Sequence, residues 1–94
     1  MWEVHGSQRV VKNLNQLDKQ IRTCYDRAFE LLSREPKKGK ILKGYKNLRS
    51  LPVTSPGGEL RILYQLKLEQ KIVYVILVGS RKDIYNLLKR SSNI

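Results

Sequence analysis

The stretch that decides the fold is residues 60–85, LRILYQLKLEQKIVYVILVGSRKDIY. It reads as two strands, a sharp stop at Gly79 and a basic tail that bears a tyrosine. Val73 to Val78 is an almost unbroken aliphatic and β-branched run. A run so short, bounded by Lys71 and Gly79, fits a strand covered on both faces better than a helix. The strand before it alternates. Leu60, Ile62, Tyr64, Leu66 and Leu68 fall on one side, Arg61, Leu63, Gln65 and Lys67 on the other, because strand side chains repeat every second residue. Arg61 is therefore expected on the face opposite the main core. Arg81 and Tyr85 follow just beyond the neighbouring strand.

Upstream, the pattern changes period. Trp2 to His5 alternates and is expected to form a first strand, which Gly6-Ser7 ends. Ser7 can cap a helix over about 7–16 that carries Val10, Val11, Leu14 and Leu17. Asp18 can cap a second, whose apolar stripe is Leu17, Ile21, Cys24, Ala28, Leu31 and Leu32. That helix is expected to end near Arg34, since Pro36 disfavours helical geometry at Glu35. Residues 34–49, REPKKGKILKGYKNLR, form a basic connector with Lys37, Lys38, Lys40, Lys43 and Lys46. Leu48 to Val53 reads as a strand, with Pro52 placing it at a sheet edge. Thr54 to Gly58 is a turn. Residues 60–68 and 71–78 pair as a hairpin over Glu69-Gln70. Lys82 to Arg90 is helical, and Ser91 to Ile94 is a frayed tail. The fold class expected is α+β: two helices packed on one face of a mostly antiparallel four-stranded sheet, with a short C-terminal helix.

Composition bounds the function. The 94 residues carry 19 Lys and Arg against 8 Asp and Glu, a formal net charge of +11. This is one domain with a positive field suited to polyanions: nucleic acid, an acidic protein or an anionic membrane. No stretch approaches the ~18 apolar residues of a membrane span, and the N-terminus lacks the apolar core of a signal peptide. With one cysteine, Cys24, no internal disulfide can form, and a cytoplasmic protein is expected. Cys24 lies on the buried stripe and reads as core rather than nucleophile. His5 has no companion ligands for zinc, and no phosphate-binding glycine loop, hydrolase triad or carboxylate pair occurs. No cofactor is expected.

What remains is arginine, lysine and tyrosine. RNA carries its own nucleophile in the 2′-hydroxyl. Its cleavage needs a proton acceptor, cations for the phosphorane charge and an acid for the leaving oxygen. Arginine suits the second task through its fixed fork and permanent charge. Tyr85 could transfer a proton if cations lower its pKa, or stack on a base and position the reacting atoms. The lysines of the connector could track phosphates or simply be solvated. On these residues alone, a basic face that only binds RNA fits almost as well as a nuclease.

Leu42-Lys43-Gly44, Leu48-Arg49, Gly58-Glu59-Leu60-Arg61-Ile62-Leu63-Tyr64 and Val75 to Val78 followed by Gly79-Ser80-Arg81-Lys82-Asp83-Ile84-Tyr85 resemble, in this order, the RelE/ParE toxin superfamily of toxin–antitoxin systems. The resemblance spans about residues 10–90. Its most specific part is an R-x-x-Y strand followed by V-G-x-R-x-x-x-Y. It implies a microbial-RNase-like sheet, and a toxin that cuts messenger RNA in the ribosomal A site and is neutralised by an antitoxin; the net positive charge and the basic connector point to an acidic segment on that partner. By position, Arg61 resembles the strand arginine that stabilises the phosphate, and Arg81 the arginine that acts with it as acid or charge stabiliser. Tyr85 resembles the tyrosine that orients the cut nucleotide, and Arg49 the basic residue of the preceding strand. Lys37, Lys38, Lys40, Lys43 and Lys46 are the expected RNA-binding lysines. The chain departs from the pattern at Leu51, Pro52 and Val53, where RelE-like enzymes tend to carry further basic residues. No His or Glu clearly replaces a general base, which leaves the proton acceptor open, with Lys43 and Lys46 candidates only by proximity. A ParE-like relative that inhibits DNA gyrase shares the scaffold without needing the arginines and tyrosine, and a non-catalytic basic module is the third possibility.

Overall fold

The two strands of the opening stretch lie at the heart of one sheet. The computed structural model describes residues 1–90. Strands β1 (Glu3–Gly6), β2 (Lys40–Ile41), β3 (Arg49–Ser55), β4 (Gly58–Lys67) and β5 (Ile72–Ser80) are accompanied by helices α1 (Gln8–Asn15), α2 (Lys19–Arg34) and α3 (Arg81–Arg90). The strand order is β1-β5-β4-β3-β2. β2, β3, β4 and β5 pair antiparallel, while β1 runs parallel to β5. The α+β class stands, but the sheet has five strands rather than four. The additional strand is β2, inside the basic connector. Its two residues are exposed, so no alternation of apolar side chains announces it.

Both N-terminal caps form as expected. Val10 N–H donates to Ser7 Oγ at 3.2 Å, and Ile21 N–H to Asp18 Oδ1 at 3.0 Å. Each cap satisfies one of the orphan donors of a first turn, worth about 1 kcal/mol. Both helices cover the sheet face that carries Leu60, Ile62, Tyr64 and Leu66, joined by Val73, Val75 and Val78 of β5. Cys24 packs against this core, half-buried. Tyr25, absent from the expected stripe, is buried in this core, and Val11, one of the apolar residues that marked the first helix, is exposed. Leu68 also lies outside, in the turn beyond β4, and is exposed.

The opposite face is not wholly open. α3 lays Ile84, Leu87 and Leu88 over Leu63, Leu77 and Ile76, and the connector adds Leu42, Tyr45 and Leu48. A register shift between Leu63 and Tyr64 makes this second core possible. Leu63 faces Leu77 and Tyr64 faces Val75, so Ile76 is an extra residue and β5 changes phase there. Val73 and Val75 can then serve one core, and Ile76 and Leu77 the other. Gly79 does not stop the strand; it pairs with Arg61, and β5 runs on to Ser80. A Cβ at Gly79 would meet Ile84 Cδ1 and Leu87 Cδ1 at 3.4 Å, so this glycine lets α3 settle close to the sheet. α3 starts at once because Ser80 caps it: Asp83 N–H donates to Ser80 Oγ at 3.1 Å, and that hydroxyl donates to Asp83 Oδ2 at 3.1 Å. The tail from Ser91 to Ile94 lies outside the described residues. Among the described residues, no helix is long and apolar enough to cross a membrane.

Candidate RNA-cleavage site

The β3–β4 register sets the floor of the site. Pro52 is opposite Arg61 and Ser50 opposite Leu63, so Ser50, Pro52 and Arg61 share the face away from α1 and α2. Lys40 joins them, because β2 places it opposite Ser50. β2 is too short to reach Pro52, which leaves β3 as a true edge there, where a missing N–H does no harm. Over that edge lies a cavity of about 370 Å³ lined by Lys38, Lys40, Ser50, Pro52 and Arg61, with Leu31 and Leu51 behind.

Arg61 is held firmly. Its Nη1–H donates to Ser50 Oγ at 3.3 Å, and its Nε–H to Glu59 Oε2 at 3.1 Å, with Nη2 at 3.0 Å from the same oxygen. Ser50 is the buried polar side chain of the sheet. Glu59 lies two residues before Arg61 on β4, hence on the same face. Arg81 arrives from the first residue of α3, and its Nε is 3.6 Å from Glu59 Oε2. Two guanidiniums from different elements thus converge on one anionic oxygen. Side-chain exposure rises from 20% at Arg61 through 36% at Glu59 to 71% at Arg81. Arg61 is the more firmly held member of the pair, and Arg81 the more exposed. Tyr85 stands one helical turn after Arg81, on the same face of α3, and the residue is 39% exposed.

The structure separates Arg49 from this cluster. Arg49 is opposite Tyr64 and so projects on the helix-covered face. Its Nη1–H groups donate to Gly39 O at 2.8 Å and Lys37 O at 3.3 Å. Tyr64 completes the knot: its hydroxyl donates to Pro36 O at 2.8 Å and accepts from Gly39 N–H at 2.8 Å. Burial of the phenol pushes its pKa up, only partly offset by that N–H and by the Arg49 charge. Arg49 and Tyr64 together fasten residues 36–39 to the sheet, and Lys37, Lys38 and Lys40 are presented outward from that segment. Lys43 and Lys46 are exposed on the loop that Leu42 and Tyr45 anchor against α3. Beneath the site, Tyr25 donates its hydroxyl to Gly79 O at 3.4 Å, and burial pushes its pKa up to about 12.

Sequence reasoning missed Glu59 and Ser50 as site residues. Glu59 was readable in principle, since an acidic residue two before a strand arginine must share its face. Ser50 needed the β3–β4 register. Among the described residues, no group of three His, Cys, Asp or Glu side chains is placed to hold a metal ion.

Solved structures share this fold. A double arginine-to-alanine mutant of the Escherichia coli toxin RelE in the free state superposes with a TM-score of 0.79 at 19% identity, covering 99% of this chain and 97% of that one. RelE in the intact E. coli RelBE toxin–antitoxin complex gives 0.72 at 21% identity, over 85% and 96% of the two chains. The Mycobacterium tuberculosis RelBE2 toxin–antitoxin complex gives 0.68 at 26% identity, over 85% and 98%. The fold is therefore that of the RelE toxins. The sequence itself matches, over residues 6–85, the family described as ParE toxin of type II toxin–antitoxin system, parDE, and the chain belongs to that family within the RelE/ParE superfamily. No curated protein sequence gives a significant match.

Proposed function

We propose that this toxin is a ribosome-dependent, metal-independent messenger-RNA endonuclease. The observation that carries the reading is the convergence of Arg61 and Arg81 on a single anionic oxygen. Two guanidiniums that can share one carboxylate oxygen can share the non-bridging oxygens of a scissile phosphate, where negative charge grows during attack by the 2′-hydroxyl. Arg61, braced by Ser50, fixes the phosphate; Arg81, more exposed, closes on it. Tyr85, on the same face of α3, stacks on the neighbouring base and holds the 2′-hydroxyl in line. Lys38 and Lys40, beside Arg61 in the groove, follow the strand's phosphates, with Lys37, Lys43 and Lys46 as flanking positive charge. Arg49 supports the lysine segment from behind. The ribosome supplies alignment of the messenger, which can be worth roughly 7–11 kcal/mol. A cognate antitoxin with an acidic segment neutralises the toxin by covering the basic groove or lifting α3 from its seat. The solved RelE relatives in complexes with antitoxins support such a partner.

The ParE family match favours a second reading, inhibition of DNA gyrase. Translation in vitro with mapping of mRNA ends, beside a gyrase supercoiling assay, separates the two. The nuclease reading expects cuts in ribosome-bound messenger, ends with a 2′,3′-cyclic phosphate and a 5′-hydroxyl, and little cleavage of naked RNA. Arg61→Ala or Arg81→Ala lowers the rate on the order of 10²–10³-fold, the usual loss for one transition-state charge donor. Intact messenger with blocked supercoiling would establish the second reading instead.

A further inference from the structure

The two arginines account for charge stabilisation, but neither can accept the proton of the attacking hydroxyl, because a guanidinium stays protonated. We propose that Glu59 is that proton acceptor, an assignment that rests on the nuclease reading above. Three observations carry it. Glu59 shares the β4 face with Arg61 and lies against both arginines, so its carboxylate is beside any phosphate they hold. Every contact to the carboxylate falls on Oε2, which leaves Oε1 unengaged among the described residues. The side chain is 36% exposed, open enough for a ribose to approach. The other acidic side chain of this corner, Asp83, is tied to the Ser80 hydroxyl at the start of α3.

The carboxylate occupies the anion position between the guanidiniums in the free protein. An entering phosphate takes over the N–H donors of Arg61 and Arg81, and the carboxylate turns to the adjacent 2′-hydroxyl. Glu59 removes the hydroxyl proton as O2′ bonds to phosphorus, and the P–O5′ bond breaks. The leaving O5′, stabilised by Arg81, takes a proton from solvent water. The resulting hydroxide recovers the proton held by Glu59, so the protein ends unchanged. The products are the cyclic phosphate and the 5′-hydroxyl end.

Competing with this is a counter-ion that merely restrains two arginines until substrate arrives. Single-turnover cleavage of messenger on programmed ribosomes distinguishes them. Glu59→Gln keeps the shape and one hydrogen-bond acceptor but cannot take up the hydroxyl proton. It should cleave at least about 10²-fold more slowly, the usual loss of a general base. Its rate should climb about tenfold per pH unit between about pH 6.5 and about 8.5, as hydroxide replaces the missing base, whereas the wild type stays flat. Glu59→Asp should recover the flat profile. Glu59→Gln at or above the wild-type rate, or slow with a flat profile, overturns the assignment. A wild-type rate that itself climbs tenfold per unit also overturns it, whether or not any variant folds. If the wild type leaves ribosome-bound messenger intact, the nuclease reading falls and takes this assignment with it. If it cleaves and Glu59→Gln cleaves equally well, the assignment alone falls.

Discussion

The knot under the lysine segment can be cut with one atom. Tyr64→Phe removes a hydroxyl that is fully buried and makes two bonds, from Gly39 N–H and to Pro36 O, both 2.8 Å. The ring and its packing remain. Gly39 is buried, so its N–H is left without a partner, at a cost of about 1–3 kcal/mol. Pro36 is only half-buried and its carbonyl can turn to water, adding roughly 0.5 kcal/mol. The expected loss is about 2 kcal/mol, a large fraction of the 5–15 kcal/mol typical of a domain. In a chain of this size that corresponds to a fall in Tm of about 8–16 °C. Urea unfolding should show a lower midpoint with an unchanged slope, since the surface exposed on unfolding is the same. On RNA, the variant should bind more weakly, because Lys37, Lys38 and Lys40 are less well ordered. Its log–log salt dependence should hardly change, because no charge is lost. A stability loss below about 0.5 kcal/mol, within the ordinary range of surface substitutions, would refute the idea that this hydroxyl fastens the segment.

Gly39→Ala should be nearly as damaging by a different route: its Cβ would sit 2.6 Å from Tyr64 Oη, 2.8 Å from Cε1 and 3.0 Å from Ser50 O. Urea unfolding should show about 1–3 kcal/mol lost to overpacking, while Gly57→Ala, which meets nothing within 4 Å, should be close to neutral. Tyr25 makes stability fall with alkalinity. Its folded pKa of about 12 lies above the ordinary 10.0, so the unfolded chain releases the proton first. The stabilisation is intact below pH 10 and is lost between 10 and 12, and Tyr25→Phe should flatten that part of a Tm-against-pH curve relative to wild type. Replacing both Lys38 and Lys40 by alanine should weaken single-stranded RNA binding and flatten the log–log salt slope by about 1.4, from roughly 0.7 per phosphate contact. An unchanged slope would make the groove lysines ordinary solvated side chains.

What the sequence disclosed, and what it withheld, follows from the range of each interaction. The caps at Ser7 and Asp18 involve residues three apart, and the end of α2 at Arg34 is set by Pro36 two residues on, so all were readable. The placement of Arg61 opposite the main core needed only the two-residue period of β4. The partial cover of the face Arg61 occupies was not readable, because it depends on a single extra residue, Ile76, that changes the phase of β5. No local signal marks such a bulge within a run that is apolar on both sides. β2 escaped notice for the opposite reason: two exposed residues bury nothing, and only their pairing with Arg49 and Ser50 makes them a strand.

The site repeats this division. Arg81 and Tyr85 share a face because they are four apart on a helix, a local fact. That Arg81 reaches Glu59 depends on β4 and β5 pairing so that Leu60 meets Ser80, which a sequence without its register cannot supply. The β3–β4 register in turn separates Arg49 from Arg61. Position within the motif set Arg49 on the strand next to Arg61, but an odd offset along paired strands sends the two to opposite faces. A basic residue on β3 can face the groove only from Ser50, Pro52 or Thr54, the positions that share the parity of Arg61's partner. The sequence has no cation at any of them, so the charge beside Arg61 must come from elsewhere. It comes from Lys38 and Lys40 across the free edge of β3, held there by Tyr64 and Arg49 acting from the other side of the sheet.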